Sequence, residues 1–342
     1  MARHTGAGRF VRLRMRPLTL YESGRSSGAI SLRRLLDGVE QRAGRSETSI
    51  ADVAELVSAG GWPGHVGKAL TGILRVNRGY LDDVRRTDIS RASGKTRDPV
   101  KVGRLLRSLA RNVATPVTLS KLGVCAAERN RVSSAAQTHG AEGMGRNAEP
   151  ARRFGALAAE VGEDDRPLKA DTVAEYLDAL ERLMVVENQP AWSPHLRSRT
   201  SLRQTPVRHF VDPSLAVAAL RATPARLSAD LEFLGLLFES LVVRDLRVHA
   251  QAADAQVFHY REKDGLEVDA VVEAADGRWA AFEIKLGERW VDDGAKSLRR
   301  LARRLEGSDH GKPSALAVIV PTGYGYVRSR DVGVIPIGAL GP

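Results

Sequence analysis

Cysteine is almost absent from this chain, because Cys125 is the only one among 342 residues. An internal disulfide is therefore excluded, and a metal site built from cysteines and histidines is not indicated. No apolar run approaches the length needed to cross a bilayer, and the basic opening segment lacks the apolar centre of a signal peptide. These absences predict a cytoplasmic protein without a membrane partner.

A complete phosphate-binding loop is also missing. The only Gly-Lys-Thr triplet is residues 94–96, and Ile89 stands where the first glycine of GxxxxGK(S/T) belongs. The residues before the triplet do not form the buried strand that this kind of nucleotide site requires. ATP is therefore not expected as a cofactor of this chain, and no small-molecule substrate is evident.

Acidic residues are outnumbered, since 52 Lys and Arg face 41 Asp and Glu and leave a formal net charge of +11. Arginine dominates the basic residues, and its forked guanidinium group binds phosphates well, which favours nucleic acid as a partner. A GC-rich coding sequence explains the same bias, so both explanations stay open. The length predicts two or three domains, and the hydrophobic share of 43% is typical of globular ones.

The most informative stretch of the chain is residues 256–287. Its alternating pattern and its turn residues predict three short strands, at residues 257–261, 266–273 and 279–286. Side chains along a strand alternate between faces, so Asp269 takes one face of the second strand, while Glu283 and Lys285 share a face of the third. If these faces coincide, two carboxylates and an ammonium group converge.

Such a convergence has a chemical use. Two carboxylates repel each other but together bind a hard divalent cation, and a neighbouring lysine can orient or deprotonate a water molecule. We therefore expect Asp269, Glu283 and Lys285 to be catalytic, with Mg²⁺ as a hypothetical cofactor. An ion pair between Glu283 and Lys285 beside a solvated Asp269 explains the same pattern without any chemistry.

This pattern, Asp269 followed after thirteen residues by Glu283-Ile284-Lys285, resembles the core motif of the PD-(D/E)XK nuclease superfamily. The flanking patterns predict a helix before the strands and a helix and a strand after them, at residues 229–250, 292–305 and 315–320. The resemblance implies a further acidic residue on the first helix, where Glu239 is the candidate. The implied metal ligands are then Glu239, Asp269 and Glu283.

Other segments resemble the C-terminal part of a bacterial and archaeal group of AAA+ ATP-binding proteins, which ends in the domain-of-unknown-function family 4143. The segment Phe10–Leu18, predicted as a strand, resembles the tail of the ATPase module in that group. Three further motifs of the group correspond to residues 60–63 (GGWP), 172–183 (TVAEYLDALERL) and 212–216 (DPSLA). The resemblance implies a truncated family member without its own P-loop, and it leaves an ATPase partner open.

The order of helices and strands after residue 169 is the pattern of a winged helix. Its last helix would present Glu175, Asp178 and Glu181 to phosphates, so we expect it to pack between modules rather than to enter a DNA groove. The predicted fold class is α+β, with a helical, winged-helix-like N-terminal part and a three-layer PD-(D/E)XK nuclease-like domain. The predicted parts are an ATPase remnant (1–24), a helical domain (25–124), a flexible insertion (125–168), a winged-helix-like segment (169–225) and the nuclease-like domain (226–342).

Arginines interleaved with hydroxyl residues before the turn at Asp212 suit contacts to phosphates, although a solvated loop explains them equally well. The nucleic-acid-binding candidates are Arg197, Arg199, Arg203 and Arg208. Three functional hypotheses stay open. The first is Mg²⁺-dependent phosphodiester hydrolysis of DNA or RNA, the second a catalytically silent DNA- or protein-binding module of an ATPase system, and the third a non-functional remnant.

Overall fold

The computed structural model describes residues 13–39, 44–127, 167–193, 204–307, 311–328 and 331–342. The N-terminal part is mainly helical. Its helices are α1 (Leu32–Leu36), α2 (Ile50–Ala59), α3 (Leu70–Asp83), α4 (Ile89–Ser93), α5 (Pro99–Arg111), α6 (Leu119–Ala127) and α7 (Ala170–Arg182). Its strands are β1 (Ile30–Ser31), β2 (Arg45–Glu47), β3 (Thr115–Pro116), β4 (Val186–Gln189) and β5 (Val207–Phe210).

The winged-helix pattern is present, but it begins earlier than the sequence predicts. The elements α5, β3, α6, α7, β4 and β5 follow one another in the winged-helix order, and β3 and β4 both pair antiparallel with β5. The unit therefore takes elements from both sides of the predicted insertion 125–168, most of which lies outside the described residues. Its first helix is α5, which starts at Pro99. This helix belongs to the unit because its apolar residues share a core with those of α7.

The remaining elements form a three-layer α/β arrangement. Its helices are α8 (Pro213–Leu220), α9 (Pro224–Ser228), α10 (Leu231–Ala252) and α11 (Val291–Arg304). Its strands are β6 (Ala255–Arg261), β7 (Glu267–Ala274), β8 (Trp279–Ile284), β9 (Ala315–Val320), β10 (Thr322–Tyr324), β11 (Tyr326–Arg328), β12 (Val332–Pro336) and β13 (Leu340–Gly341). The predicted order of helix, three strands, helix and strand is confirmed, with boundaries within two residues.

A six-stranded sheet in the order β11-β12-β9-β8-β7-β6 forms the middle layer. The strands β6, β7 and β8 make an antiparallel meander, while β9 pairs in parallel with β8 and β12. Helix α10 packs with Phe282 and Ile284 on one face, and α11 packs with Ala281 and Val318 on the other. Among the described residues, no helix has both the length and the apolar character needed to cross a membrane.

The predicted strand Phe10–Leu18 is wrong where the structure describes it, since residues 13–18 form neither strand nor helix, and residues 10–12 lie outside the described part. This segment is held by side chains instead of a strand partner. Glu187 lies 2.7 Å from Arg14 and 2.8 Å from Arg16. Burial alone would raise the pKa of Glu187, but Arg247, Arg16 and Arg14 lower it to about 2, so the carboxylate stays ionised.

The segment at Leu20 and the motifs at residues 60–63 and 212–216 meet at one buried ion network on α10. Arg244 is 3% exposed and lies 2.8 Å from Asp212 and 2.7 Å from Asp245. Asp212 also accepts the backbone N–H of Gly61 at 2.9 Å, and Asp245 accepts that of Leu20 at 2.9 Å. These motifs therefore join the N-terminal helices to the three-layer domain.

Candidate functional site

The candidate site begins at an irregularity in the sheet. Strands β6 and β7 pair at Phe258 with Val271 and at Tyr260 with Val268, so two β7 residues, Asp269 and Ala270, lie opposite one residue of β6. This is a β-bulge, and bulges redirect side chains and often lie beside functional sites. The simple alternation expected along β7 therefore breaks at Asp269.

A second irregularity follows on the other side of Asp269. The ladder between β7 and β8 ends at the pair Ala270 and Phe282. Beyond this point the backbone N–H of Ile284 donates to Oδ2 of Asp269 at 2.7 Å. The carboxylate of Asp269 thus lies at the fork between β7 and β8, beyond the end of their ladder. There it accepts the hydrogen bond of a β8 N–H group that a backbone carbonyl of β7 would otherwise accept.

Glu283 and Lys285 complete the cluster from β8 and the residue just beyond it. Nζ of Lys285 lies 3.1 Å from Oδ2 of Asp269 and also contacts Oε2 of Glu283. The side chain of Glu283 is 4% exposed, whereas those of Asp269 and Lys285 are 20% and 25% exposed. The predicted convergence of the three side chains is therefore present, and solvent reaches it through Asp269 and Lys285.

The electrostatics of the cluster show an excess of negative charge. Burial and the nearby Asp269 raise the pKa of Glu283 well above its ordinary value, and Lys285 opposes this shift. Burial disfavours the charged form of Lys285, but Asp269 and Glu283 prevail and raise its pKa above the ordinary value. Lys285 is accordingly a cation at neutral pH, and its one positive charge is shared between the carboxylates of Asp269 and Glu283.

Glu239 approaches the cluster from α10. Burial raises the pKa of its carboxyl group well above the usual range, and the carboxylates of Asp269 and Glu283 raise it further. Glu239 therefore interacts electrostatically with the cluster from a separate element. That it acts together with Asp269 and Glu283 as a metal ligand stays a prediction.

The donor set fits a divalent cation by charge. Asp269 and Glu283 both contact the ammonium group of Lys285, so full ionisation of these three groups leaves one negative charge in excess. Within the described ranges, however, no three or more His, Cys, Asp or Glu side chains stand together as metal ligands. A cation here would take Asp269 and Glu283 as protein ligands and fill its shell mainly with water, which is the usual mode for Mg²⁺.

Gln189 supports the bulge, and sequence reasoning missed it. Its side-chain amide donates to the carbonyl oxygens of Phe258 at 2.9 Å and Asp269 at 3.0 Å. Its Oε1 can only accept, so Nε2 of His209, 3.0 Å away, carries the proton, and Nδ1 accepts from Ser240 at 3.1 Å. Burial lowers the pKa of His209 well below its ordinary value, in agreement with a neutral ring.

Helix α11 closes the site on its other side. At Gly294, an added Cβ would lie 3.1 Å from Cβ of Glu283, 3.3 Å from Val318 and 3.5 Å from Cε of Lys285. Glycine therefore lets the helix approach the β8 side chains more closely than other residues allow. In the sequence, the small and basic residues of α11 indicate a helix that can lie close to other elements. The short distance between Gly294 and Glu283 is visible only in the structure.

The predicted nucleic-acid candidates have different outcomes. Arg197, Arg199 and Arg203 lie outside the described residues. Arg208 is 6% exposed and donates to the carbonyl of Val117 at 3.3 Å and to Asn188 at 2.9 Å. The expectation that it extends an exposed patch is corrected, because strand β5 directs its side chain into the winged-helix unit.

A cavity of about 720 Å³ lies elsewhere, beside the ion network on α10. It is lined by Gly60, Gly61, Trp62 and Arg244, among others, and by none of Asp269, Glu283 and Lys285. Arg244 is already neutralised by Asp212 and Asp245. The carboxylate cluster is therefore separate from this cavity, and its chemistry makes it the candidate.

In comparisons with known proteins, two parts of the chain match family models. Residues 234–340 match a domain of unknown function, DUF4143, and residues 152–226 match a second domain of unknown function, DUF8612. The first match confirms the predicted relation to family 4143 for the part that contains Glu239, Asp269, Glu283 and Lys285. No significant match is found among curated proteins or among solved structures.

Proposed function

We propose that the domain related to DUF4143 hydrolyses phosphodiester bonds of DNA or RNA with a divalent cation. The observation that supports this function is the convergence of Asp269, Glu283 and Lys285 at the fork between β7 and β8. Glu283 is almost completely buried beside Asp269, and its pKa is raised. Keeping both carboxylates ionised at this position is therefore unfavourable for stability. A site that stores such unfavourable charge is a candidate for function.

Asp269 and Glu283 are the proposed ligands of the cation. Bound there, Mg²⁺ would polarise the phosphodiester and lower the pKa of a water molecule. Asp269 is fixed for this role by the N–H of Ile284, and its carbonyl is fixed by Gln189. Two independent hydrogen bonds thus set the position of one ligand, which is the pre-organisation that catalytic geometry requires.

Lys285 acts as a cation in this proposal. Its raised pKa means that it holds its proton at neutral pH while Asp269 and Glu283 are close by, so it donates hydrogen bonds rather than accepting a proton. An ammonium group at this position orients a water molecule and stabilises the negative charge that develops on the phosphate oxygens. The expectation that Lys285 deprotonates the water is the less favoured part of the hypothesis.

Cleavage of supercoiled plasmid and of single-stranded RNA, with Mg²⁺ or Mn²⁺, tests the proposal. We expect Asp269→Asn and Lys285→Ala each to lower the cleavage rate by roughly 10²-fold or more, as removal of one electrostatic stabiliser does in other enzymes. Isothermal titration should show Mn²⁺ binding to the wild type and little binding to Asp269→Asn.

The chain offers a matched control pair. Asp293 and Lys296 on α11 form the same kind of contact, at 2.9 Å, but both are exposed. Asp293→Asn and Lys296→Ala should leave cleavage and Mn²⁺ binding unchanged. Cleavage that persists in Asp269→Asn and Lys285→Ala would contradict the proposed site.

A second candidate function is a catalytically silent binding module. It is favoured by the ammonium of Lys285, which already pairs with both carboxylates and so partly satisfies the cluster without a metal. In that case Mn²⁺ does not bind and no nucleic acid is cut, while binding to nucleic acid or protein remains. The relation to AAA+ ATPases and an ATPase partner stay predictions, and co-purification of an ATPase subunit with the tagged chain would test them.

A further inference from the structure

A strand of the winged-helix unit reaches the carboxylate cluster. Gln189 is the last residue of β4, and its side chain is fully buried. It donates to the carbonyl oxygens of Phe258 on β6 and Asp269 on β7. Gln189 belongs to the part of the chain that matches DUF8612, whereas Asp269 belongs to the part that matches DUF4143. The two matched parts are therefore hydrogen-bonded to each other at the candidate site.

The backbone that follows β4 contacts the bulge as well. His259 is the β6 residue at the bulge. Its N–H donates to the carbonyl of Pro190 at 2.9 Å, and its own carbonyl accepts from the N–H of Trp192 at 2.6 Å. Residues 190–192 thus run parallel to β6 at this point. One short segment of the winged-helix unit therefore holds the irregular pairing from which Asp269 projects.

The amide group of Gln189 fits this position in one orientation only. Its Nε2 atom lies 2.9 Å from the carbonyl oxygen of Phe258 and 3.0 Å from that of Asp269. Carbonyl oxygens can only accept hydrogen bonds, so the NH₂ group has to face them. The reversed amide would place Oε1 against two other oxygens and leave the buried carbonyls without this donor, which is unfavourable. The position of Asp269 thus depends on the orientation of the Gln189 amide.

His209 fixes that orientation from β5. Its Nε2 lies 3.0 Å from Oε1 of Gln189, and its Nδ1 lies 3.1 Å from Oγ of Ser240 on α10. Because Oε1 accepts, Nε2 of His209 carries the ring proton, and Nδ1 accepts from the hydroxyl group of Ser240. All three side chains are almost completely buried. A chain of hydrogen bonds therefore runs from Ser240 through His209 and Gln189 to the carbonyl of Asp269.

The backbone position of Asp269 determines where its carboxylate lies. Oδ2 accepts from the N–H of Ile284 at 2.7 Å and lies 3.1 Å from Nζ of Lys285. A shift of the backbone at the bulge would move the carboxylate away from both partners. Loss of such outer hydrogen-bond partners typically lowers metal affinity or activity about 10- to 100-fold. The contact with Gln189 is therefore expected to affect the chemistry of the cluster.

Another glutamine makes similar contacts at a different place. Gln251, in the last turn of α10, accepts from Arg16 and donates to the carbonyl of Arg14 at 3.3 Å. Its side chain is exposed, and its contacts join α10 to the N-terminal segment. Gln251 therefore provides a control in which the amide chemistry is the same and the location differs.

We infer that Gln189 and His209 are positioning residues for Asp269, so that the winged-helix unit completes a site whose proposed ligands lie in the other matched part. Both residues act through the backbone of Asp269, and neither is assigned a chemical step. Their effect on cleavage rests on the proposed function. Their effect on the position of Asp269 does not, because the hydrogen bonds described above involve no metal.

Amide hydrogen exchange of the full chain without metal, resolved by NMR, reports the position of Asp269. The N–H of Ile284 donates to the carboxylate of Asp269, whereas the N–H of Lys285 donates to the carbonyl of Ile319 at 2.9 Å. Global destabilisation lowers the protection of both amides. The ratio of the Ile284 protection factor to that of Lys285 therefore isolates the hydrogen bond to Asp269.

We expect Gln189→Met and His209→Leu each to lower this ratio roughly tenfold or more, because the hydrogen bond from Ile284 to a charged acceptor is weakened. Gln251→Met removes an amide of the same kind and should keep the wild-type ratio. A wild-type ratio in both Gln189→Met and His209→Leu would overturn the inference. So would an equal fall of the ratio in Gln251→Met.

His209→Gln separates the hydrogen bond from packing. A glutamine can place an N–H donor near the position of Nε2 of His209, whereas a leucine cannot. We expect His209→Gln to restore most of the wild-type ratio, and this variant also covers the case in which His209→Leu folds poorly. Equal losses in the two variants would overturn the role of His209.

Kinetics of metal-dependent cleavage measure the consequence for the proposed reaction. Gln189→Met should lower kcat and Mn²⁺ affinity about 10- to 100-fold and leave KM for the nucleic acid nearly unchanged, because Gln189 acts through Asp269 and not on the substrate. Gln251→Met should match the wild type. Unchanged kcat and Mn²⁺ affinity in Gln189→Met, beside an active wild type, would overturn the inference. A wild type that neither binds Mn²⁺ nor cleaves would contradict the proposed function, and the exchange ratio then decides the inference by itself.

Discussion

His259 shows how a single buried group can make stability depend on pH. It is 4% exposed, and its Nε2 has no hydrogen-bond partner among the described residues. Burial, with a smaller contribution from Arg261, lowers its pKa from 6.5 to about 4, and the buried His209 is a near neighbour. The neutral ring is therefore the form that the folded protein contains at neutral pH.

The sign of the effect follows from this lowered pKa. Between about pH 6.5 and pH 4 the unfolded chain takes up a proton at His259 and the folded protein does not, so stability falls as pH falls through this range. The loss amounts to roughly 3 kcal/mol for this one group. We expect His259→Leu to remove that part of the pH dependence, as measured by urea unfolding at pH 7.5 and at pH 4.5.

The comparison across pH is its own control, because any packing change in His259→Leu acts at both pH values. The carboxyl groups with raised pKa values, Glu239 and Glu283, act in the opposite direction in the same range and do so equally in both proteins. An identical loss of stability in wild type and variant between pH 7.5 and pH 4.5 would contradict the assigned role of His259.

At the scale of elements, the ion network on α10 connects segments that are far apart in the sequence. Gly60, with φ +73°, would place a Cβ 2.4 Å from Oδ1 of Asp212, so glycine is required at this turn. Arg244 joins the turn to α10 through Asp212 and Asp245. A buried network of one cation and two carboxylates stabilises the fold only while all three groups are present, because removal of one leaves a buried charge without compensation.

We therefore expect Arg244→Ala to lower the free energy of unfolding by about 3–5 kcal/mol, because two buried carboxylates lose their partner. Arg278→Ala is the matched control. Arg278 also pairs with two aspartates, Asp37 and Asp276, but it is exposed, so the loss should be about 1 kcal/mol or less. Urea unfolding at pH 7.5 measures both, and equal losses would show that burial does not decide the value of these pairs.

At the scale of the whole molecule, the N-terminal helices and the six-stranded sheet share one core. Apolar residues from Leu20 to Leu340 belong to a single buried cluster, which includes residues of α5, α7 and α10. Strand β1 pairs with β13 through Ile30 and Leu340. Trp192 also donates to the carbonyl of His259 at 2.6 Å, so the winged-helix unit extends the edge of β6.

Shared burial of this kind predicts cooperative unfolding. We expect a single calorimetric transition for the full chain, with the calorimetric enthalpy equal to the van't Hoff enthalpy. The same midpoint should follow from tryptophan fluorescence and from far-ultraviolet circular dichroism. Two resolved transitions would show that the N-terminal helices and the sheet are independent domains, and would also contradict the joining role of Arg244.

The sequence alone determined the secondary structure of the domain that matches DUF4143 and the residue types of its candidate site. Period-two alternation and apolar runs are local properties, so β6 to β9 could be placed within two residues. The pairing of Asp269 with Glu283 and Lys285 could be predicted from the meander, because the register of β7 with β8 is regular up to Ala270, and the break in alternation comes only at the bulge beyond it. The strand predicted at Phe10–Leu18 failed where it is described, since an alternating segment becomes a strand only if a partner edge is available.

Tertiary structure decided everything that depends on contacts between distant segments. The support of Asp269 by Gln189 and the burial of Arg208 against Val117 join segments that are 80 or more residues apart in the sequence. The physical reason is that hydrogen-bond register and charge proximity are properties of the folded surfaces, whereas a residue pattern specifies only which side of its own element a side chain occupies.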